Sequence, residues 1–314
     1  MHRLIPCLFT GFYLIISSLC SALIQAAEPV AAILQAPQQK SLMVRVPRQE
    51  VSNVSHTGYI LTLLKQALEK SKANGELINV QQAPVTHTQA RMIAELIHGQ
   101  SLDVIWTMTS RKREQLMLPI RVPILKGLLG QRVFLIRQEH QSRFDNIHQL
   151  SDLAQLSAGQ GSHWPDTDIL IHNGLSVSTN VHYERLFDML AGGRFDYFPR
   201  GANEAWVEAE AHREQHLAVE QNLILSYIAP VYFFVAPDNL ALAQRIQSGL
   251  DKMHSDGSFD ALFFNDPTHA NTLKQLATHQ RRVFKLENPL LPLLTPVDIT
   301  HYWLPAVHGQ ITMD

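Results

Sequence analysis

The sequence predicts an α/β protein of two lobes, two open α/β sheets joined by a two-strand hinge. Three observations predict it. Strand and helix patterns alternate through residues 42–106, which implies a parallel sheet with helical crossovers. A second alternating unit begins near Arg143. Extended apolar segments near 132–136 and 227–236 bracket that unit, so one lobe reads as an insertion in the other.

Taken in order, residues 42–46 are a first strand, ended by Pro47. A polar loop from Arg48 to His56 leads into a helix whose Ile60, Leu63, Leu64, Ala67 and Leu68 share one face. Asn74 and Gly75 stop it. Residues 77–80 are a second strand, 88–98 a helix with Ile93, Leu96 and Ile97 inward, and 102–106 a buried strand. Past Pro123, residues 132–136 form a strong strand, and Ile147, Leu150 and Leu153 mark a short helix. Residues 157–166 are a strand end turning into a helix, where Pro165 suits a first turn that needs no N–H from it. Val177 marks a strand, and Tyr183, Leu186, Phe187 and Leu190 line a helix ended by Gly192 and Gly193. Residues 195–198 are a strand broken by Pro199, and 204–213 a polar helix. Strands at 223–227 and 231–236 are split by Pro230. Leu242, Ile246, Leu250 and Met253 form one helical stripe that ends at Asp256 and Gly257, and Phe259, Leu262 and Phe263 continue apolar. The tail from Arg281 is proline-rich and reads as an ordered wrap. Lobe 1 is thus 41–131 plus 237–314, and 132–236 holds the hinge strands and the inserted lobe 2.

The first 27 residues carry one cation, Arg3, then an uncharged apolar run from Leu4 to Ile24 and a small-residue exit at Ala26 and Ala27. That is a secretory signal peptide, cleaved after Ala26 or Ala27; an uncleaved anchor is the alternative. Both cysteines, Cys7 and Cys20, lie inside it, so the mature chain has no disulfide and rests on its core. Cys20 follows Ser17, Ser18 and Leu19 and lacks the setting of a lipid-anchored cysteine. Without Arg3 the chain has 25 basic and 28 acidic side chains and no basic block, which gives no electrostatic case for nucleic acid. No later apolar run is long enough to cross a membrane. The expectation is a soluble, exported, cysteine-free protein.

The buried strand at 102–106 stops at Thr107, Thr109 and Ser110, then at Arg111, Lys112 and Arg113. Hydroxyls followed by a guanidinium fit an anion site at the carboxyl edge of an open sheet, where loops splay apart. A solvated basic turn is the competing reading. Thr107 and Thr109 have the alternate spacing that puts two side chains on one face. Ser162 starts a helix, where N–H groups favour an anion, or it is simply an N-cap. The carboxyl-edge rule also nominates Arg48. Trp164 and Tyr59 are assigned to packing. Sixteen histidines show no metal-ligand spacing, so no metal or cofactor is expected. Gly159 and Gly161 lack the third glycine of a dinucleotide turn, and no Gly-x-Ser-x-Gly elbow occurs. A non-enzyme is expected, with a secreted hydrolase as the enzymatic alternative.

Four segments resemble the bacterial extracellular solute-binding proteins that accompany amino-acid ABC transporters. Asp103, Val104, Ile105, Trp106, Thr107, Met108 and Thr109, with Arg113 following, are similar to that family's strand, hydroxyl pair and ligand-gripping arginine. Gly159 to Ser162 resembles its lobe-2 glycine turn, Gly193 to Phe198 its glycine–basic–apolar–aspartate strand, and Ile246 to Asp260 its late helix and Asp-Gly turn. The resemblance spans about 41–265 and implies a type 2 periplasmic-binding-protein-like fold that binds a ligand by hinge closure. The hydroxyl-to-arginine spacing is one residue short, so Arg111 competes with Arg113. Arg200 and Gly201 stand where the family's amino-acid binders carry an acid, which favours an anionic or carboxylate-bearing ligand gripped by guanidinium groups. The resemblance implies a periplasmic monomer with a membrane permease as partner; a signalling receptor is the alternative.

Overall fold

The computed structural model describes residues 40–48, 54–86, 88–99 and 101–305. The expected signal peptide lies outside them. None of the described helices is long and apolar enough to cross a membrane.

β1 (Ser41–Arg48) runs parallel to β2 (Leu77–Thr86), and α1 (Val54–Ser71) makes the crossover. The predicted stripe of α1, from Ile60 to Leu68, is buried. Pro47 does not end β1: the register shifts between Val46 and Arg48, and such a bulge accommodates a residue without an N–H. α2 (Gln89–Ile97) leads to β3 (Ile105–Met108). β3 begins later than the apolar run because Asp103 is held by Arg45, accepting from its backbone N and its Nη2 at 2.7 Å each. α3 (Arg111–Leu116) is capped by Ser110, whose Oγ accepts from Arg113 N at 3.2 Å. β4 (Leu118–Ile120) follows.

β5 (Gln131–Arg137) carries the chain into the second lobe. There α4 (Gln141–Asp145), α5 (Leu150–Leu153), β6 (Ser157–Gly161), α6 (Pro165–His172), β7 (Ser176–Asn180) and α7 (Tyr183–Ala191) follow. β8 (Tyr197–Gly201), α8 (Ala202–Ala211), β9 (Leu217–Val219) and β10 (Leu223–Ser226) complete it. β8 runs through Pro199, contrary to the expected break. Its pairing with β6 is confined to Tyr197, so beyond that point β8 has β5 alone as a ladder neighbour, a setting that tolerates proline.

β11 (Val231–Val235) returns between β3 and β4, with Tyr232 opposite Thr107. α9 (Leu240–Ser255) lies on α1, and Gly249 permits the approach: a Cβ there would sit 1.9 Å from Ala67 O. α10 (Ser258–Asn265) and α11 (Pro267–Thr278) precede β12 (Arg282–Lys285). β12 pairs in parallel with β10, so this piece of the tail belongs to the larger sheet, ordered β12-β10-β5-β8-β6-β7 with β9 also on β5.

The lobes meet where β5 begins and β10 ends. Tyr227 N donates to Gly130 O at 3.1 Å, and a Cβ on Gly130 would lie 2.0 Å from Tyr227 O. Only glycine lets the two hinge strands pass this closely.

Candidate functional site: the cleft between the lobes

A cleft of about 430 Å³ opens between the sheets. It falls within the roughly 300–1,000 Å³ range of small-molecule sites. Arg48, Gln89, Trp106, Thr107 and Arg113 line one wall; Ser162, Trp164, Asp166, Arg200, Asn203 and Glu204 line the other.

Arg113 is 6% exposed. The Ser110 cap sets the start of α3, which carries the guanidinium back under the end of β3. There Nη1 donates to Thr107 Oγ1 and to Met108 O, both at 2.7 Å. Nη2 donates to Gln89 Oε1 and, across the cleft, to His163 O at 3.3 Å. Every one of these acceptors is neutral. Burial pulls the Arg113 pKa down to about 10, with nearby Asp166 working the other way. Among the described residues, the buried lysines and arginines are Arg113, Lys126, Arg132 and Arg200. The last three have carboxylate partners, and Arg113 has none among the described residues. Because Thr107 Oγ1 already accepts from Arg113, its own proton can be donated into the cleft.

The other nominated residues are placed as follows. β3 ends at Met108, so the alternation expected to bring Thr109 beside Thr107 does not carry past it. Thr109 is fully buried outside the cleft lining and donates to Glu114 Oε1 at 2.7 Å. Glu114 in turn accepts from Arg121 Nη2 at 2.6 Å, so Thr109 braces α3. Arg111 is turned away, its backbone N donating to Leu290 O at 3.0 Å and its guanidinium to Pro289 O. Arg48 stands at the exposed rim and donates to Pro84 O at 3.0 Å.

On the second wall, Ser162 sits half-buried in the turn from β6 to α6, its N–H donating to Asn180 O at 3.0 Å. A Cβ on Gly161 would come within 2.5 Å of the Trp164 ring, so that turn is built around Trp164. Arg200 lines the cleft but is neutralised. Its Nε and Nη2 grip Glu208 at 2.6 and 2.7 Å, and Glu204 lies 3.0 Å away. Trp164 and Phe198 flank its guanidinium at 5.0 and 4.9 Å. Burial works against its charge, yet Glu204 and Glu208 hold its pKa well above the ordinary value. Asp166 pairs with Arg132 at 2.5 Å and accepts from the Tyr227 hydroxyl. Asn203 is 2% exposed, and its Oδ1 has no donor among the described residues. Asp166, Glu184 and Glu204 line this wall with Arg132 and Arg200, and Glu208 lies behind Arg200, so acids outnumber guanidinium groups here by two, facing the positive charge of Arg113.

Sequence reasoning missed Gln89, Asp166, Asn203 and Glu204. Glu204, three residues after Gly201 and accepting from its N–H at 3.0 Å, was the most findable, as a helix-start glutamate. Tyr59 is a core residue whose hydroxyl donates to Ile124 O at 2.9 Å.

The fold is similar to that of the two-lobed type 2 periplasmic binding proteins. An ancestral arginine-binding protein bound to glutamine matches at 15% identity and a TM-score of 0.56, covering 72% of this chain and 98% of that one. A periplasmic His/Glu/Gln/Arg/opine family-binding protein from Silicibacter pomeroyi, in complex with lysine, matches at 11% and 0.54, covering 71% and 96%. A histidine kinase sensor domain with similarity to periplasmic binding proteins matches at 15% and 0.52, covering 73% and 97%. At these identities the likeness is one of fold. No family model matches the sequence, and no curated protein matches it.

Proposed function

We propose that this protein is a periplasmic solute-binding protein that closes on a small carboxylate-bearing ligand and presents it to a membrane permease. One observation carries the reading: Arg113 is a buried guanidinium with no carboxylate partner among the described residues. A cation stripped of water in this way is costly unless an anion joins it, and a bound carboxylate supplies that anion. Thr107 adds a hydroxyl donor, Ser162 and the start of α6 reach the ligand from the other lobe, and Arg48 attracts it at the rim. Thr109 and Arg200, nominated as contacts, act instead as supports, because their polar atoms are engaged by Glu114 and by Glu204 and Glu208. The acid surplus on the second wall suits a ligand whose far end is cationic, so a net charge near zero fits better than a simple anion.

In this reading residues 1–27 are a cleaved signal peptide, and lobes 41–131 plus 237–314 and 132–236 close about the hinge, with β12 riding on the second. Ligand contacts to both lobes favour the closed state. The amino acids in the two matching binding proteins support a carboxylate ligand. The matching sensor domain favours a second reading, delivery to a signalling receptor. Native mass spectrometry of the freshly purified protein is expected to release a small carboxylate-bearing molecule. A pull-down from membranes then separates permease from kinase or cyclase. Turnover of an ester, peptide or phosphate panel would replace both readings with a hydrolase.

A further inference from the structure

Beyond α10 the chain joins the larger sheet as β12 and then returns to the other lobe alongside the hinge. Leu286 N donates to Ser226 O at 2.8 Å, and Asn288 Nδ2 to Ile228 O at 2.8 Å, next to the link between β10 and β11. Its lobe-2 end is fixed to α6. Asn173, just past that helix, donates through Nδ2 to Glu287 O at 2.9 Å and accepts from Glu287 N at 3.1 Å. Its lobe-1 end is fixed to α3: Arg111 N donates to Leu290 O at 3.0 Å, and the Arg111 guanidinium donates to Leu291 O at 3.4 Å and to Pro289 O. Only Asn288 and Pro289 therefore separate the lobe-2 anchor at Glu287 from the lobe-1 anchor at Leu290, and Pro289 is itself held by the Arg111 guanidinium.

Each anchor is rooted beside a wall of the cleft. α6 starts at Pro165 and Asp166, which line it, and ends at the Asn173 clamp. α3 carries Arg113 two residues after Arg111. A strap this short has little slack, since an extended chain spans at most about 3.5 Å per residue. Separation of the lobes must either swing about the strap or break one of its ends.

We propose that residues 286–291, the return from β12 to lobe 1, are a further hinge crossing beside the two hinge strands, with Asn173 and Arg111 as positioning residues that hold the ends of α6 and α3 and so set the balance of open and closed cleft. This rests on the hinge-closure reading above. Asn173→Ala and Arg111→Ala each remove two side-chain hydrogen bonds to the strap, while the backbone bond from Arg111 N to Leu290 O stays, and the loss shifts the open-to-closed ratio by roughly tenfold.

The test is pulsed dipolar spectroscopy on the full chain with Cys7 and Cys20 replaced by serine and spin labels at Lys65→Cys on α1 and Ser176→Cys on β7. Circular dichroism checks that Asn173→Ala and Arg111→Ala remain folded. The expected result is a distance distribution that moves to longer separations in both variants, with no ligand added. If the parent chain samples two separations and neither variant changes their ratio, the strap proposal fails while hinge closure stands. A single narrow separation in every variant would overturn both.

Discussion

Across the cleft, Arg113 Nη2 meets the backbone carbonyl of His163 at 3.3 Å, so the guanidinium of one lobe already touches the turn that starts α6 in the other. That carbonyl is a weak substitute for a carboxylate, because it carries no net charge to offset the buried cation. The proposed ligand carboxylate would supply that charge.

The pH dependence follows from that burial. With its pKa lowered to about 10, Arg113 is charged throughout the neutral range and loses its proton well before an exposed arginine would. Affinity for a carboxylate ligand should hold from pH 7 to 9 and fall as pH rises through about 10. Stability of the ligand-free protein responds in the opposite sense. Above that pH the unfolded chain binds the proton that the folded chain has released, so this group adds stability as pH rises. Calorimetric titrations and melting curves between pH 8 and 11 check both directions.

Glu208, 1% exposed, closes the buried pair with Arg200. Glu208→Ala should cost somewhat less than the roughly 3–5 kcal/mol of a fully broken buried pair, because Glu204 at 3.0 Å stays beside the guanidinium. The double variant Arg200→Met, Glu208→Leu should recover most of that loss. Urea denaturation of the three proteins decides the matter; equal losses in single and double variants would assign the cost to packing alone.

His254 supplies an acid-side prediction. Burial foremost, then Lys126 and His301, lower its pKa to about 4, while Asp260 opposes them. Its ring stacks on Phe259 with centroids 4.0 Å apart. Between pH 6.5 and 4 the unfolded chain takes up a proton that the folded one refuses, so stability falls as pH falls through that window. His254→Phe keeps a stacked ring and should flatten the decline, read as melting temperature at pH 7, 5.5 and 4.5.

Part of this was legible in the sequence because it is local. Thr107 and Arg113 follow a buried strand within one short segment, and the α1 and α9 stripes announce their own buried faces. Thr109 was misplaced because the end of β3 is set by its pairing with β11, far along the chain. The role of Arg200 was hidden for a similar reason. β8 continues through Pro199, and the acid that neutralises Arg200 lies on the polar helix α8, whose buried face no apolar stripe marks. Asp166, Arg132 and Tyr227 come together from three separate segments, a contact that spacing cannot reveal. β12 was read as part of a wrap because its partner is β10, not a neighbour in sequence.

The central claim is that the Arg113 guanidinium holds the ligand carboxylate in the cleft. Isothermal titration of the wild type and Arg113→Ala with the ligand recovered from the purified protein tests it most directly. Loss of a charge-assisted, two-bond contact should weaken binding by about a hundredfold or more, while the ligand-free melting point stays within about two degrees. Affinity unchanged within about threefold in a folded Arg113→Ala protein would contradict the account.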